Sequence, residues 1–461
     1  MFLNLFTECS PSPQLPGLWR HEKDVTSEGY RSLEHWSSLA KRLEAASFDA
    51  LFFADTHGVF DVYQGSWAPA VRHAVQIPAI DPVLVVPIVA AATKHLGIAV
   101  TYSTTYHQPY QCARLFSTLD HLSAGRVAWN IVTSYLSSAA DNGLGEPLAH
   151  DERYDRAEEY IAVVRALWER SWDDGSVVRD DETGLFADPT RVRQIDHEGR
   201  FFRVRGPHQC EPSLQRTPVL YQAGASTRGI AFAARHAEVV FVTMGEPKSG
   251  ARQVAELRRQ AAAHGREALK VLQGSLVIVG RDKEEAKAKG KLLAALADKE
   301  GELAKWCGWT GFDLAEYQDD APIAEIRTEA SRSALGMLTR ANPDRTWTVS
   351  DLRYFVSMGN RPRRRNGLFG TAAEVADRME EWMDVAGVDG FNLLPCPPSS
   401  GVADICDLLV PELRRRGLFR KAYDPMERTL RERYFGAGIR RYDAWASPVA
   451  GAAGPRPEAD V

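Results

Sequence analysis

The sequence predicts a closed barrel of eight parallel β/α units with long insertions. Three observations lead there. Apolar runs of strand length recur about eight times, near residues 2–6, 48–55, 98–100, 127–132, 218–224, 239–243, 271–279 and 390–394. Each is followed by a segment of helical apolar spacing or by an excursion, the pattern of a parallel sheet. A length of 461 residues leaves room for insertions in a barrel that needs about 250 residues. A doubly wound sheet is the alternative, but no Gly-x-Gly-x-x-Gly follows the first run and no Gly-x-x-x-x-Gly-Lys-Ser/Thr occurs.

The elements can be justified in order. Phe2-Leu-Asn-Leu-Phe6 reads as the first strand, and Leu33, Trp36, Leu39, Leu43 and Ala46 form a helical stripe after a Pro-rich loop. The run Phe48–Ala54 is a buried strand closed by Asp55, and an excursion over 56–81 precedes a helix opened by Pro82. The stretch 97–134 is strand, helix, strand: Ile98-Ala99-Val100 ends in Thr101 and Ser103, Ala113 to Leu122 is amphipathic, Gly125 stops it, and Val127–Val132 carries Asn130. Polar groups therefore gather at the C-terminal ends of strands, where parallel β/α folds place their sites. A loop over 134–150 leads to an amphipathic helix over 151–172, then to an irregular excursion over 173–217 with one hairpin. Strand and helix alternate again from Pro218 to the helix after Val279. Residues 298–370 break the rhythm and end in the basic run Arg361-Pro-Arg-Arg-Arg365, a solvated loop or an anion contact. Thr371-x-x-Glu374 is a capping-box signature, and a strand at 390–394 and a helix near 404–416 follow. The reading is one barrel domain over 1–433, with insertions near 56–81, 134–150, 173–217 and 298–370, and a poorly core-forming tail over 434–461.

Composition narrows the function. With 44% hydrophobic and 25% charged residues the chain is globular rather than disordered, and a net charge of -5 gives a nucleic-acid partner no electrostatic support. No run approaches the roughly 18–20 apolar residues of a membrane span, and the first ten residues lack a basic leader, so the cytosol is expected. Six scattered cysteines without a Cys-x-x-Cys pair read as reduced thiols.

Chemistry-bearing residues fall at strand ends and helix starts. Asp55 is a loop cap or a ligand acceptor at the barrel mouth. His150 and Tyr154, four apart at a helix start, are either a loop residue and a packing ring or donors to an anion. Gly224-Ala-Ser226-Thr-x-Gly229 joins a late strand to a helix, where Ser226 is a plain cap or faces a phosphate on the helix N-terminus. No Gly-x-Ser-x-Gly elbow and no His or acid cluster of metal spacing occurs. A phosphate site with hydroxyls, an amide and an acid, and no protein nucleophile, suits a cofactor that brings its own reactivity.

Several motifs, taken together, resemble the bacterial luciferase-like flavin monooxygenases. They are Gly17-Leu-Trp-Arg20, Phe48-Asp-Ala-Leu-Phe-Phe-Ala-Asp55, Ser103-Thr-Thr-Tyr-x-x-Pro-Tyr110, Leu119-Asp-His-Leu-Ser-x-Gly-Arg126, Trp129-Asn-Ile-Val-Thr-Ser134, His150-Asp-Glu-Arg-Tyr154, Gln222-Ala-Gly-x-Ser226, Asp389-Gly-Phe-Asn392 and Val410-Pro-Glu-Leu413. The subgroup is that of nitrilotriacetate, dibenzothiophene-sulfone and long-chain alkane monooxygenases, and Ala70-Val-Arg-x-Ala-Val-Gln76-Ile-Pro looks most like the alkane branch. The resemblance implies a TIM (β/α)8 barrel with insertions that uses FMN as FMNH2. A separate NAD(P)H:flavin reductase supplies the reduced flavin, and O2 reacts on it to a C4a-(hydro)peroxide that oxygenates a small organic substrate, as in xenobiotic degradation. It also implies a homodimer or homotetramer.

By position in those motifs, Asp55, Thr101, Asn130, His150, Tyr154 and Ser226 match flavin contacts. Tyr154 and Ser226 match the phosphate, His150 the ribityl chain, and Asp55, Thr101 and Asn130 the ring. No metal is implied. The substrate pocket departs from the alkane pattern: Ser10 and Pro13 stand for a cysteine and a histidine, Phe60 for a tyrosine and Tyr135 for a histidine, while Gln76 is kept. Ser10, Phe60, Gln76 and Tyr135 are the pocket candidates, or else packing under a lid formed by 298–370. The rivals are a deazaflavin-dependent oxidoreductase on the same barrel, a metal-dependent barrel hydrolase and a flavin-binding protein without turnover.

Overall fold

The computed structural model describes residues 1–134, 136–143, 149–224, 226–323, 345–357 and 367–442, without the side chains of 137, 140, 150 and 399. Its strands are β1 (Phe2–Glu8), β2 (Ala50–Ala54), β3 (Gly97–Ser103), β4 (Val127–Val132), β5 (Val177–Asp180), β6 (Leu185–Ala187), β7 (His197–Glu198), β8 (Arg203–Val204), β9 (Val219–Gln222), β10 (Val239–Val242), β11 (Lys270–Gly280), β12 (Leu368–Thr371) and β13 (Gly390–Pro395). Eight of them close a parallel barrel in the order β1, β2, β3, β4, β9, β10, β11, β13, and β13 returns to β1 in register, Asn4 beside Asn392. These are the eight runs read from the sequence, so the TIM-barrel expectation holds.

Alternation along each strand sorts the core. On β1, Leu3 and Leu5 join the large cluster between barrel and helices, while Phe2 and Phe6 pack inside with Phe52, Ala99, Tyr221 and Phe241. Inside, Phe52 and Phe241 meet edge to face at 5.1 Å and Phe6 stacks on Phe52 at 5.6 Å. This aromatic layer fills the middle of the barrel. Polar residues above it, Glu8 on β1, Thr101 on β3 and Asn130 on β4, therefore stand at the C-terminal mouth.

Below the aromatic layer the barrel is stoppered by the chain's own C-terminal part. The helix Leu430–Phe435 opens with a Thr429/Glu432 capping box and sends Leu430 and Tyr434 into the inner cluster. Tyr434 donates to Asn4 Oδ1 at 3.1 Å and meets the Tyr221 hydroxyl. Arg431 is fully buried, paired with both oxygens of Glu238 at 2.6 and 2.9 Å, and donates to the carbonyls of Thr217 and Pro218.

Three expectations are corrected. The stretch 173–217 holds two short hairpins, β5–β6 and β7–β8, rather than one. Residues 368–371, read as the end of an excursion, form β12 on the last residues of β11, and Thr371 at its end caps the next helix as expected. The tail from 434 is not a poor core former throughout: Tyr434 and Tyr442 are buried. The basic run 361–365, residues 324–344 and the tail from 443 lie outside the described residues. Among the described residues no helix is long and apolar enough to cross a membrane.

The insertions near 56–81 and 298–370 share a core of their own. Phe60, Tyr63, Val75, Leu303, Trp306 and Cys307 belong to one cluster. The helix Lys299–Thr310 is tied down where His73 Nδ1 lies 2.7 Å from Asp298 and Tyr63 donates to Glu300 at 2.9 Å.

Candidate active site

A cleft opens at the C-terminal mouth, lined by the ends of β2, β4 and β9 and the start of the helix His150–Arg170. Asp55, His57, Thr133, Ser134, Tyr154 and Gly224 are among its walls. A second cleft lies between β1, β13 and the helix Leu33–Ala45, and none of the predicted site residues lines it.

The turn from β9 into the helix Thr227–His236 is built for close approach. Ser226 caps that helix by accepting from Gly229 N–H at 3.0 Å. A methyl group at Gly229 would stand 2.8 Å from the Tyr154 hydroxyl, 3.0 Å from Gly224 Cα and 3.1 Å from Ser226 Oγ. Two hydroxyls thus converge over two touching glycines at a helix N-terminus, where the positive end of the helix dipole favours an anion. Tyr154 is buried, its ring 5.8 Å from Phe232. Nearby Arg153 faces Tyr154 and Tyr106, and its Nε is buried without a partner. These groups suit a phosphate monoester.

Deeper in the mouth, β3 and β4 set Thr101 beside Asn130 in register. Asn130 donates to Thr101 Oγ1 at 2.8 Å, which donates to Phe53 O at 2.8 Å. The chain of donors leaves Asn130 Oδ1 buried and unpartnered. An orphaned amide oxygen of this kind costs roughly 1–3 kcal/mol unless a ligand or water donates to it, which suits a flavin ring N–H.

Asp55 ends β2, and burial, helped by Asp81, pushes its carboxyl up to about 7. His57 Nδ1 lies 3.8 Å from Asp55, and His57 Nε2 lies 3.2 Å from His107 Nε2. His107 stacks on Tyr102 at 3.8 Å and burial lowers it to about 4, so it is neutral at pH 7. Glu8, at the end of β1, is raised to about 7 by burial and accepts from Gln14 N–H at 3.0 Å and Gln76 Nε2 at 2.5 Å.

Of the residues singled out from the sequence, Asp55 and Tyr154 line the cleft, Ser226 meets Tyr154 over Gly229, and Thr101 and Asn130 bond to each other in the mouth. His150 begins its helix, but its side chain, like all of Tyr135, lies outside the described residues. Gln76 is bound to Glu8, and Ser10 is buried with an unpartnered hydroxyl. Phe60 packs against the helix Lys299–Thr310, where a methyl group at Gly308 would fall 2.1 Å from its ring. Sequence reasoning missed Glu8, His57 and His107. The rule that singled out Asp55, an acid closing an apolar strand, applies equally to Glu8.

The profile of luciferase-like monooxygenases matches residues 17–390. The dimethyl-sulfide monooxygenase of Hyphomicrobium sulfonivorans is 43% identical over 96% of this chain and 92% of its own. The long-chain alkane monooxygenase of Geobacillus thermodenitrificans is 44% identical over 92% of this chain and 91% of its own. A crystal structure of riboflavin lyase with modified FMN and riboflavin has a TM-score of 0.88 at 33% identity, covering 96% of this chain and 97% of that one. The alkane enzyme was expected from the motifs, and the dimethyl-sulfide enzyme is similar to the same degree.

Proposed function

The chain belongs to the luciferase-like monooxygenase family and is a flavin-dependent oxidoreductase, and from that premise we propose a two-component monooxygenase that takes FMNH2 from a separate NAD(P)H:flavin reductase. The observation that carries the choice of FMN is the pair of hydroxyls, Tyr154 and Ser226, meeting over the Gly224–Gly229 contact. When bound, FMNH2 supplies the oxygen chemistry: with O2 it passes one oxygen atom to an organic substrate and releases the other as water.

The protein's own residues bind, orient and exclude. Tyr154 and Ser226 would hold the phosphate, and His150, whose side chain lies outside the described residues, is the candidate for the ribityl chain. Asp55, Thr101 and Asn130 would hold the ring, with the orphaned Asn130 Oδ1 free to accept a ring N–H. The capping insertions, joined through their common core, keep water from the mouth. Ser10, Phe60 and Gln76 would border the substrate, Phe60 by fixing the cap against Gly308; Tyr135, the fourth candidate, lies outside the described residues. The working form is a homodimer or homotetramer in the cytosol.

Small thioethers and alkanes are the first substrates to try, since two relatives are named for them. The purified chain is supplied with FMNH2 by a generic reductase under ¹⁸O2 and products are read by mass spectrometry. One labelled oxygen atom per product is expected. Unlabelled product, or none across a panel of thioethers, alkanes, sulfones and amines, refutes the reading.

A further inference from the structure

The loop that leaves β2 puts a histidine on the wall of the cofactor cleft. His57 lines it beside Asp55 and Thr56. The loop is pinned at its next two residues: Gly58 has φ 94°, and Ser138 donates to Val59 O at 2.7 Å. The two nitrogens of the His57 ring meet different groups. Nδ1 faces Asp55 Oδ2 at 3.8 Å, and Nε2 lies 3.2 Å from His107 Nε2. His107 stands just before the helix Pro109–Ser123, is not among the walls of the cleft and keeps part of its surface in solvent. Its ring lies flat on Tyr102, at 3.8 Å and 12°, which holds it in place. The order from the cleft outward is Asp55, His57, His107.

Two imidazoles joined Nε2 to Nε2 need one N–H and one bare nitrogen. Such a pair takes up one further proton and keeps its bond. A proton crosses it without movement of either ring: one enters at the far nitrogen of one ring, the bridging proton shifts, and one leaves at the far nitrogen of the other. Among the described residues, Asp81 acts electrostatically on Asp55 and His57, and His57 on His107. Arg153 acts on Tyr106, whose ring is 5.6 Å from that of His57. Burial lowers both imidazoles and raises Asp55 to about 7, so near neutral pH the carboxyl is the group that holds a proton and the bare imidazole nitrogens can accept one. The 3.8 Å between Asp55 and His57 is longer than a hydrogen bond, as catalytic contacts in unliganded sites often are. Among the described residues no three such side chains are placed to hold a metal.

We infer that Asp55, His57 and His107 form a proton relay through the wall of the cofactor cleft, in which Asp55 hands a proton to the bound group and the histidine pair replaces it from solvent. This rests on the cleft being the flavin site and adds to it the route by which protons arrive. Oxidation of the reduced flavin anion by O2 takes up one proton: FMNH⁻, O2 and H⁺ give FMN and H2O2, and with a substrate S they give FMN, SO and H2O. A capped cleft that keeps water out receives that proton through the protein. His107 touches no cofactor and acts only through His57.

The first test needs no flavin. In ¹⁵N spectra of the full chain, His57→Gln and His107→Phe assign the two rings among the 12 histidines. One Nε2 carries a proton, the other is bare, and the rings titrate as a coupled pair. The second test loads the chain, in excess, with FMNH2 and follows flavin oxidation on mixing with O2 and no organic substrate. His107→Ala slows it roughly tenfold or more and raises its solvent deuterium effect. FMN affinity, read by fluorescence, stays within about twofold of wild type, because the residue does not bind the flavin. Imidazole restores the rate, whereas pyrrole, a ring of the same size without a basic nitrogen, does not. His107→Phe, which keeps a ring on Tyr102, is as slow as His107→Ala. A wild-type rate in both His107 variants, rescue by pyrrole as good as by imidazole, or rings that titrate independently overturns the inference. Failure of the wild type to bind FMN refutes the flavin reading instead.

Discussion

Replacing Gly229 by alanine separates cofactor binding from folding. The residue lies in the first turn of a helix, so the change favours the helix by up to about 1 kcal/mol. The added methyl, however, stands 2.8 Å from the Tyr154 hydroxyl and 3.0 Å from Gly224 Cα, well inside the roughly 3.5–4.0 Å of an ordinary contact. The rigid Tyr154 ring must retreat from the spot where phosphate is expected. A hydrogen bond to a charged group contributes about 1.5–3 kcal/mol, so FMN affinity falls roughly 10- to 150-fold. Fluorescence titration with oxidised FMN reads this directly. Tyr154→Phe and Ser226→Ala each cost about 1–2 kcal/mol, and Tyr154→Phe combined with Gly229→Ala is less than additive because both remove one contact. Riboflavin, which lacks the phosphate, serves as the control and binds wild type and Gly229→Ala alike. Equal losses for riboflavin and FMN, or FMN affinity within twofold of wild type in a folded variant, refute the reasoning.

Two further outcomes follow from buried charge. Arg431→Met removes the cation from the fully buried Glu238 carboxylate and costs about 3–5 kcal/mol, seen as a lower denaturant midpoint; adding Glu238→Leu recovers most of it, and a double variant no better than the single one refutes the pairing. Glu8 and Asp55 have folded values near 7, above their unfolded ones, so their contribution to stability is full at low pH and is lost as pH rises through 7. For Glu8 the loss is about 3 kcal/mol; Glu8→Gln accordingly narrows the stability gap between about pH 5 and pH 8, and an unchanged gap counts against the burial argument.

Much of the architecture was legible because it rests on local pattern. Each of the eight barrel strands is an apolar run, and parallel strands covered on both faces have to be. What escaped has the opposite character. β12 is four residues beside a basic run, and β5 to β8 are short and largely exposed, so neither leaves an apolar signature. Reading 434–461 by its overall Gly, Ala and Pro content hid Tyr434 and Tyr442, and the burial of Arg431 depends on Glu238, 193 residues away. At the site, the hydroxyls and amide at strand ends were legible, as was Ser226 at a helix start. Glu8 was not, because the first strand was ended at Phe6, two residues early, and only the full alternation places the acid inside. Phe60 shows the limit of positional matching: its ring belongs with Gly308, a partner 248 residues away that local spacing cannot reveal.

The stopper formed by Leu430–Phe435 bears on how the chain is made. Asn4 waits for Tyr434, 430 residues later in synthesis, and β1 finds its second neighbour only when β13 arrives. Until then a growing chain carries a strand edge with unsatisfied backbone groups and an open apolar lumen, the surfaces that aggregate most readily. Contacts of such separation are slow to form. A ribosome that stalls before Gly390 releases a polypeptide without the strand that shuts its barrel, however well its earlier strands have paired.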